Sequence, residues 1–170
     1  MIDVNDLVKE VEYIQTHSVE IGILGDGGSV KGLSGGSESE TTVLIYGSAL
    51  EYGTSKMKPF AYFRKAISDN SDEIGDYVER VTSDVLEGNL TGKQALMQVG
   101  EYVRGLIVQT IASAGSWARS NSEGYQKWKS KHYPNRANQP LILDGFLIKS
   151  IRYKIIKGGS IEFTSDWAEI

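Results

Sequence analysis

The chain of 170 residues has no cysteine. That excludes disulfide scaffolds, cysteine-ligated zinc, iron–sulfur clusters and thiol nucleophiles. Histidine is nearly absent too: only His17 and His132 occur, and neither stands in an HExxH-type spacing. Apolar runs fall far short of a membrane span, so no contact with a membrane is expected. The opening, MIDVNDLVKEVEYI, lacks a basic region followed by an apolar one and does not read as a secretory signal. Positive charge is in deficit, with 18 Lys and Arg against 22 Asp and Glu, a net charge of −4. That argues against a generally basic nucleic-acid binder. No GxSxG elbow is present. The GDGG at 25–28 looks like a fragment of a phosphate loop but lacks the GK[ST] ending. The sequence therefore predicts no catalytic residues, no metal ligands, no cofactor and no enzyme.

What remains is ordinary globular material, 40% hydrophobic and 24% charged. The length suits a single domain over 1–170 that buries a core without staples. Charge is unevenly spread. From Ser116 to Lys157 there are nine Lys or Arg against only Glu123 and Asp144. The acidic excess lies elsewhere, much of it at Asp72, Glu73, Asp76, Glu79, Asp84 and Glu87. A bipolar chain of this kind is able to pair its acidic surface with a neighbour's basic one; the plain alternative is two solvated faces.

Val4, Leu7, Val8, Val11 and Ile14 recur at helical spacing behind Asp3, a suitable N-cap. Val19 to Leu24 alternates as a strand, and Thr42 to Tyr46 reads as a second one. Between them, about 25–41, the Gly/Ser-rich composition predicts a mobile loop at the tip of a long hairpin. Pro59 suits a first helical turn, and Phe60, Phe63, Ile67, Ile74, Val78, Val81 and Val85 continue one helix over 59–87. Asp69-Asn70-Ser71 kinks or breaks it, and Gly88-Asn89 closes it. Thr91 to Gln94 is a capping box opening the next helix. Leu96, Val99, Val103, Leu106, Ile107 and Ile111 form its stripe; Gly100 and Gly105 permit close packing within it. A long loop follows over about 115–140. Asp144 caps a short helical turn, and a C-terminal β-hairpin turns at Gly158-Gly159. The expected class is α+β: an antiparallel sheet packed against two main helices, with long loops.

Trp117, Tyr125, Trp128 and Tyr133 are interleaved with Lys127, Lys129 and Lys131 in that loop, near Arg119. Such a mixture suits a protein interface, or bases stacked over phosphate contacts across 117–136.

Three segments together carry a resemblance. Leu50-Glu51-Tyr52-Gly53-Thr54-Ser55-Lys56-Met57-Lys58-Pro59-Phe60, continuing to Phe63-Arg64-Lys65-Ala66, resembles the EYGT…PARPFLRPA signature of small tail-morphogenesis proteins of long-tailed bacteriophages. Pro140 to Leu147, with Ser150-Ile151-Arg152-Tyr153, is similar to their PLIDTGxLxxSIxY segment. The helix around 94–111 matches the one those proteins place between, and Lys127 and Lys129 sit where members related to the phage Mu virion-morphogenesis proteins carry a Lys. Phe60-Ala61-Tyr62-Phe63 departs from the RPFLRP order, and no Thr separates Asp144 from Gly145.

The resemblance implies a tail-completion or head–tail joining protein: a structural, non-catalytic part of the virion, assembled in the host cytoplasm. Such proteins form a ring, typically a homohexamer, at the tail's head-proximal end or in the neck. Implied neighbours are a tail tube or tail terminator protein on one side and a head-side connector or head-completion protein on the other. DNA passes through without sequence-specific binding. The alternatives are a tail terminator that caps tube length, or a DNA-binding protein using 117–136. Glu51, Tyr52, Gly53, Thr54, Pro59, Phe60, Phe63, Leu143, Asp144, Gly145, Leu147 and Ser150 are expected to hold the fold. Asp72, Asp76 and Glu79 on one side, and Trp117, Arg119, Lys127, Trp128, Lys129 and Lys131 on the other, are the expected contact residues between subunits or partners.

Overall fold

The computed structural model describes residues 3–24, 29–34, 37–142 and 145–166. The chain is α+β. Its described residues gather into two compact units. The first holds the described residues up to Gly22, Ile67–Leu106 and Arg152–Asp166; the second holds Ile23–Ala66 and Ile107–Ile151.

The first unit opens with α1 (Val4–Thr16), capped as expected by the Asp3 side chain, which accepts from the Asn5 N–H at 3.3 Å. Then come β1 (His17–Ile23), α4 (Ser71–Leu86), most of α5 (Gly92–Ala112), β4 (Ile151–Lys157) and β5 (Ser160–Thr164). The sheet runs β1-β4-β5, with β4 and β5 antiparallel. Gly158 and Gly159 turn that hairpin with φ of 54° and 87°, the pair of positive values that a two-residue turn requires. Val81, Val85 and Ala95 form a buried cluster against Ile14, Tyr77, Leu90 and Val99, joining α1, α4 and α5. Helix meets sheet at Gly100, where a Cβ would stand 2.4 Å from the Tyr153 ring. The capping box is formed: Thr91 N–H donates to Gln94 Oε1 at 2.9 Å, and Gln94 N–H to Thr91 Oγ1 at 3.2 Å.

The second unit holds β2 (Ser29–Ser34), β3 (Ser37–Thr42), α2 (Val43–Tyr52), most of α3 (Tyr62–Asp69), α6 (Ala114–Trp117), α7 (Glu123–His132), a 3-10 turn (Pro134–Arg136) and α8 (Phe146–Lys149). Several expectations are corrected here. Thr42 to Tyr46 is not a strand: Thr42 ends β3 and its hydroxyl accepts from the Ile45 N–H, starting α2. Helical spacing wins because it buries Val43, Gly47, Leu50 and Glu51 together. Consequently β1 has no hairpin partner there and lies beside β4. Much of the Gly/Ser stretch pairs with itself, β2 with β3, from Ser29↔Thr42 to Ser34↔Ser37. The GDGG segment lies outside the described residues. The loop over about 115–140 contains α6, α7 and the 3-10 turn; Ser122 caps α7 through its hydroxyl. The long helix over 59–87 is two, broken at Asn70 as the sequence suggests, and it starts at Tyr62, not Pro59.

Candidate functional site

Among the described residues no three His, Asp or Glu converge as a metal site. The features with chemistry to offer are a joint between α2 and α3 and two charged surfaces.

The joint is built by the EYGT segment. Gly53 closes α2 at φ 80°, a left-handed conformation that glycine adopts at low cost. A Cβ there would also stand 2.7 Å from the Met57 carbonyl oxygen and 2.9 Å from Pro59 N. Thr54 and Met57 then pair back to back, with Thr54 N–H donating to the Met57 carbonyl at 2.8 Å. Phe60 N–H returns to the Leu50 carbonyl at 2.8 Å. Pro59, lacking an N–H, costs this turn no hydrogen bond. Ala61 takes φ 56°, and the chain enters α3.

Glu51 locks the joint. It is buried, and its carboxylate accepts from Phe63 N–H at 2.8 Å, from Arg64 N–H at 3.4 Å and from Arg64 Nε at 3.0 Å. These backbone donors belong to the first turn of α3 and have no partner within the helix. A carboxylate is favoured there by the helix dipole as well. Arg64 Nη2 completes the clamp by donating to the Glu51 carbonyl at 2.8 Å. Tyr52 projects outward, with the Arg64 guanidinium 5.8 Å from its ring centre.

The residue expected to anchor α3 in the core is corrected. Phe60 and Phe63 are half-buried, while Tyr62 and Ala66 are fully buried. The Tyr62 hydroxyl donates to the Gly47 carbonyl at 3.2 Å, and burial, reinforced by Glu51, pushes its phenol well above the usual range. A Cβ at Gly47 would stand 2.1 Å from Ile23 Cδ1, so that side chain would have to shift to admit one. Leu147 approaches the same spot and is buried; Gly145 introduces α8 at φ 91°, and the buried Ser150 hydroxyl donates to the Phe146 carbonyl. Leu143 and Asp144 lie outside the described residues.

The expected basic surface divides on inspection. Lys127 and Lys131 are exposed on α7. Lys129 is not a surface residue: it is buried, and its ammonium donates to the Gln139 carbonyl at 2.5 Å and to that of Ile142. Burial, aided by Arg136, lowers its pKa to about 8. It reads as a pin holding the 139–142 segment, which includes Leu141 at φ 62°. Trp117 is half-buried, its indole N–H donating to the Thr110 carbonyl at 2.9 Å. Trp128 is flanked by Tyr125 at 5.6 Å and His132 at 4.7 Å, both stacked on it. These faces are occupied by each other, which leaves little for bases to stack upon.

Arg119 joins a different surface. Its guanidinium lies 4.1 Å from the Phe60 ring centre and donates to the Lys58 carbonyl. Lys56, Lys58 and Arg64 are exposed in the same stretch, and Lys65 Nζ lies 5.2 Å from the Trp117 ring centre. Sequence reasoning missed this cationic cluster. The signal was present: between Val43 and Ser68 the only acid is Glu51, which burial and its hydrogen bonds remove from the surface.

Asp72, Asp76 and Glu79 are exposed on α4, and among the described residues none of them has an ion-pair partner. Glu73 differs, since it accepts from the Tyr102 hydroxyl and thereby raises that phenol to about 12.

No family model, curated protein or solved structure matches the chain. Among the described residues no helix is long and apolar enough to cross a membrane.

Proposed function

We propose that this chain is a structural protein of a tailed-bacteriophage virion. It forms a ring, six-fold in the simplest case, at the head-proximal end of the tail or in the neck. There it completes the tail and joins it to the head, between a tail tube or terminator protein and a head-side connector. DNA crosses the lumen without sequence readout.

One observation carries the reading. A single chain presents an acidic helix face that has no ion-pair partner among the described residues, and it also presents clustered exposed cations. A closed ring needs two different, mutually complementary surfaces on each subunit, and this is such a pair. The resemblance through EYGT…PF and the 140–153 segment supports a place in the virion. The self-stacked rings of α7 weigh against the DNA-binding alternative.

The test is a gene-deletion lysate viewed by negative-stain electron microscopy. Separate full heads and normal-length tails are expected, with joining restored by the gene in trans. Tubes of uncontrolled length would move the protein to the terminator role. Intact particles in normal number would overturn the virion reading.

A further inference from the structure

Helix α2 is short and apolar nearly all round. Its buried positions are Val43, Gly47, Leu50 and Glu51. Its exposed positions, Leu44, Ile45, Ser48 and Tyr52, fall within an arc of about 100° at the turn of an α-helix. Three of these four are large and apolar, with Ile45 62% and Tyr52 74% exposed. A helix with apolar residues on both faces is expected to be covered on both. Following α2 in the chain are the exposed cations Lys56, Lys58 and Arg64; the Arg64 guanidinium lies 5.8 Å from the Tyr52 ring centre, and Arg119 is bonded to the Lys58 carbonyl. The acid of this stretch, Glu51, is buried and committed to α3.

The opposite chemistry stands on α4. Asp72, Asp76, Glu79, Ser83 and Leu86 share one face by helical spacing, and all five are exposed. Leu86 is 53% exposed, an apolar contact point at the end of an acidic row. One surface is thus apolar with a cationic border, and the other is acidic with an apolar end.

We infer that the outer face of α2, with Lys56, Lys58 and Arg119, docks on the acidic face of α4 of a second copy of this chain. The contact is heterologous, so each copy offers both halves and the chain of contacts closes into a ring or extends. The inference rests on the ring reading and replaces α7 as the basic side of the contact. It is favoured because the α2 face adds apolar area to charge complementarity, whereas on α7 Lys127 and Lys131 are exposed but Trp128 is half-buried, its ring stacked on that of His132.

The test swaps charges in the full chain. One variant carries Lys56→Glu and Lys58→Glu; the other carries Asp76→Lys and Glu79→Lys. All four side chains are exposed, so both variants are expected to fold, which circular dichroism and thermal melting check. Self-association is read by analytical ultracentrifugation over a concentration series. The wild type is expected to associate, and each variant alone to weaken association by about tenfold or more, since every contact then brings like charges together. An equal mixture of the two is expected to regain the wild-type mass, because each variant's altered face complements the other's. Ile45→Asp, which leaves all these charges in place, is expected to weaken association as well. A wild type that stays monomeric throughout overturns the inference. So does a charge variant that associates like the wild type, or a mixture that fails to recover. Each of these results leaves the lysate outcome free to stand. Conversely, recovery in the mixture with normal particles in the deletion lysate would keep the contact and remove the virion role.

Discussion

Replacing Glu51 with glutamine removes one carboxylate oxygen from a site where two backbone N–H groups and one guanidinium N–H converge. Glutamine offers one acceptor, and its amide N–H₂ faces donors. One buried backbone donor at the start of α3 is then left unpaired, at a cost of about 1–3 kcal/mol. The guanidinium contributes less, because the Arg64 side chain is 61% exposed and water competes for it. Exposed ion pairs are worth about 0–1 kcal/mol. The expected loss for Glu51→Gln is therefore about 2–3 kcal/mol. For a chain of this size it corresponds to a fall in Tm of roughly 4–12 °C. Arg64→Ala is expected to cost about 1 kcal/mol or less. Urea unfolding followed by circular dichroism at the helical band compares the three proteins. The asymmetry is the decisive readout. Equal losses in the two variants, or a Glu51→Gln protein as stable as the wild type, would refute the assignment of Glu51 as the cap of α3.

Two glycines of α5 are expected to respond oppositely to alanine. Gly100→Ala drives a Cβ into the Tyr153 ring and should cost about 1–3 kcal/mol, whereas Gly105 has nothing within 4 Å and Gly105→Ala should add up to about 1 kcal/mol, both read by urea midpoint. Lys129 gives a pH signature. Its pKa falls from 10.5 to about 8 on folding, so between those values the unfolded chain holds more protons and stability rises with pH. That contribution is absent in Lys129→Met. The wild-type stability relative to the variant should therefore climb by an amount on the order of 3 kcal/mol from pH 8 to pH 10.5, and a flat difference would contradict the buried-ammonium reading.

Much of the fold was legible because its signals are local. The Asp3 cap, the Thr91 to Gln94 capping box, the break at Asn70 and the glycine turn at 158–159 each declare themselves within four residues. The misreadings arose where local preference and tertiary burial disagree. Val43 to Tyr46 has strand-like composition, yet a helix buries Val43, Gly47 and Leu50 on one side. The Ser and Gly of 29–42 have weak preferences, and pairing between two such strands leaves no periodic mark. The site was half legible. The EYGT motif announced a turn at Gly53, but that Glu51 caps a helix twelve residues on depends on the fold of the joint. Lys129 sat in a row of surface-like lysines, and only the packing of 139–142 distinguishes it from Lys127 and Lys131.

The most direct test of the central claim is to locate the protein in the finished particle. Purified virions carrying an epitope tag on this chain, labelled with antibody-coupled gold and viewed by electron microscopy, should show gold at the junction of head and tail. Particles that carry the tag nowhere, or that carry it away from that junction, would contradict the account.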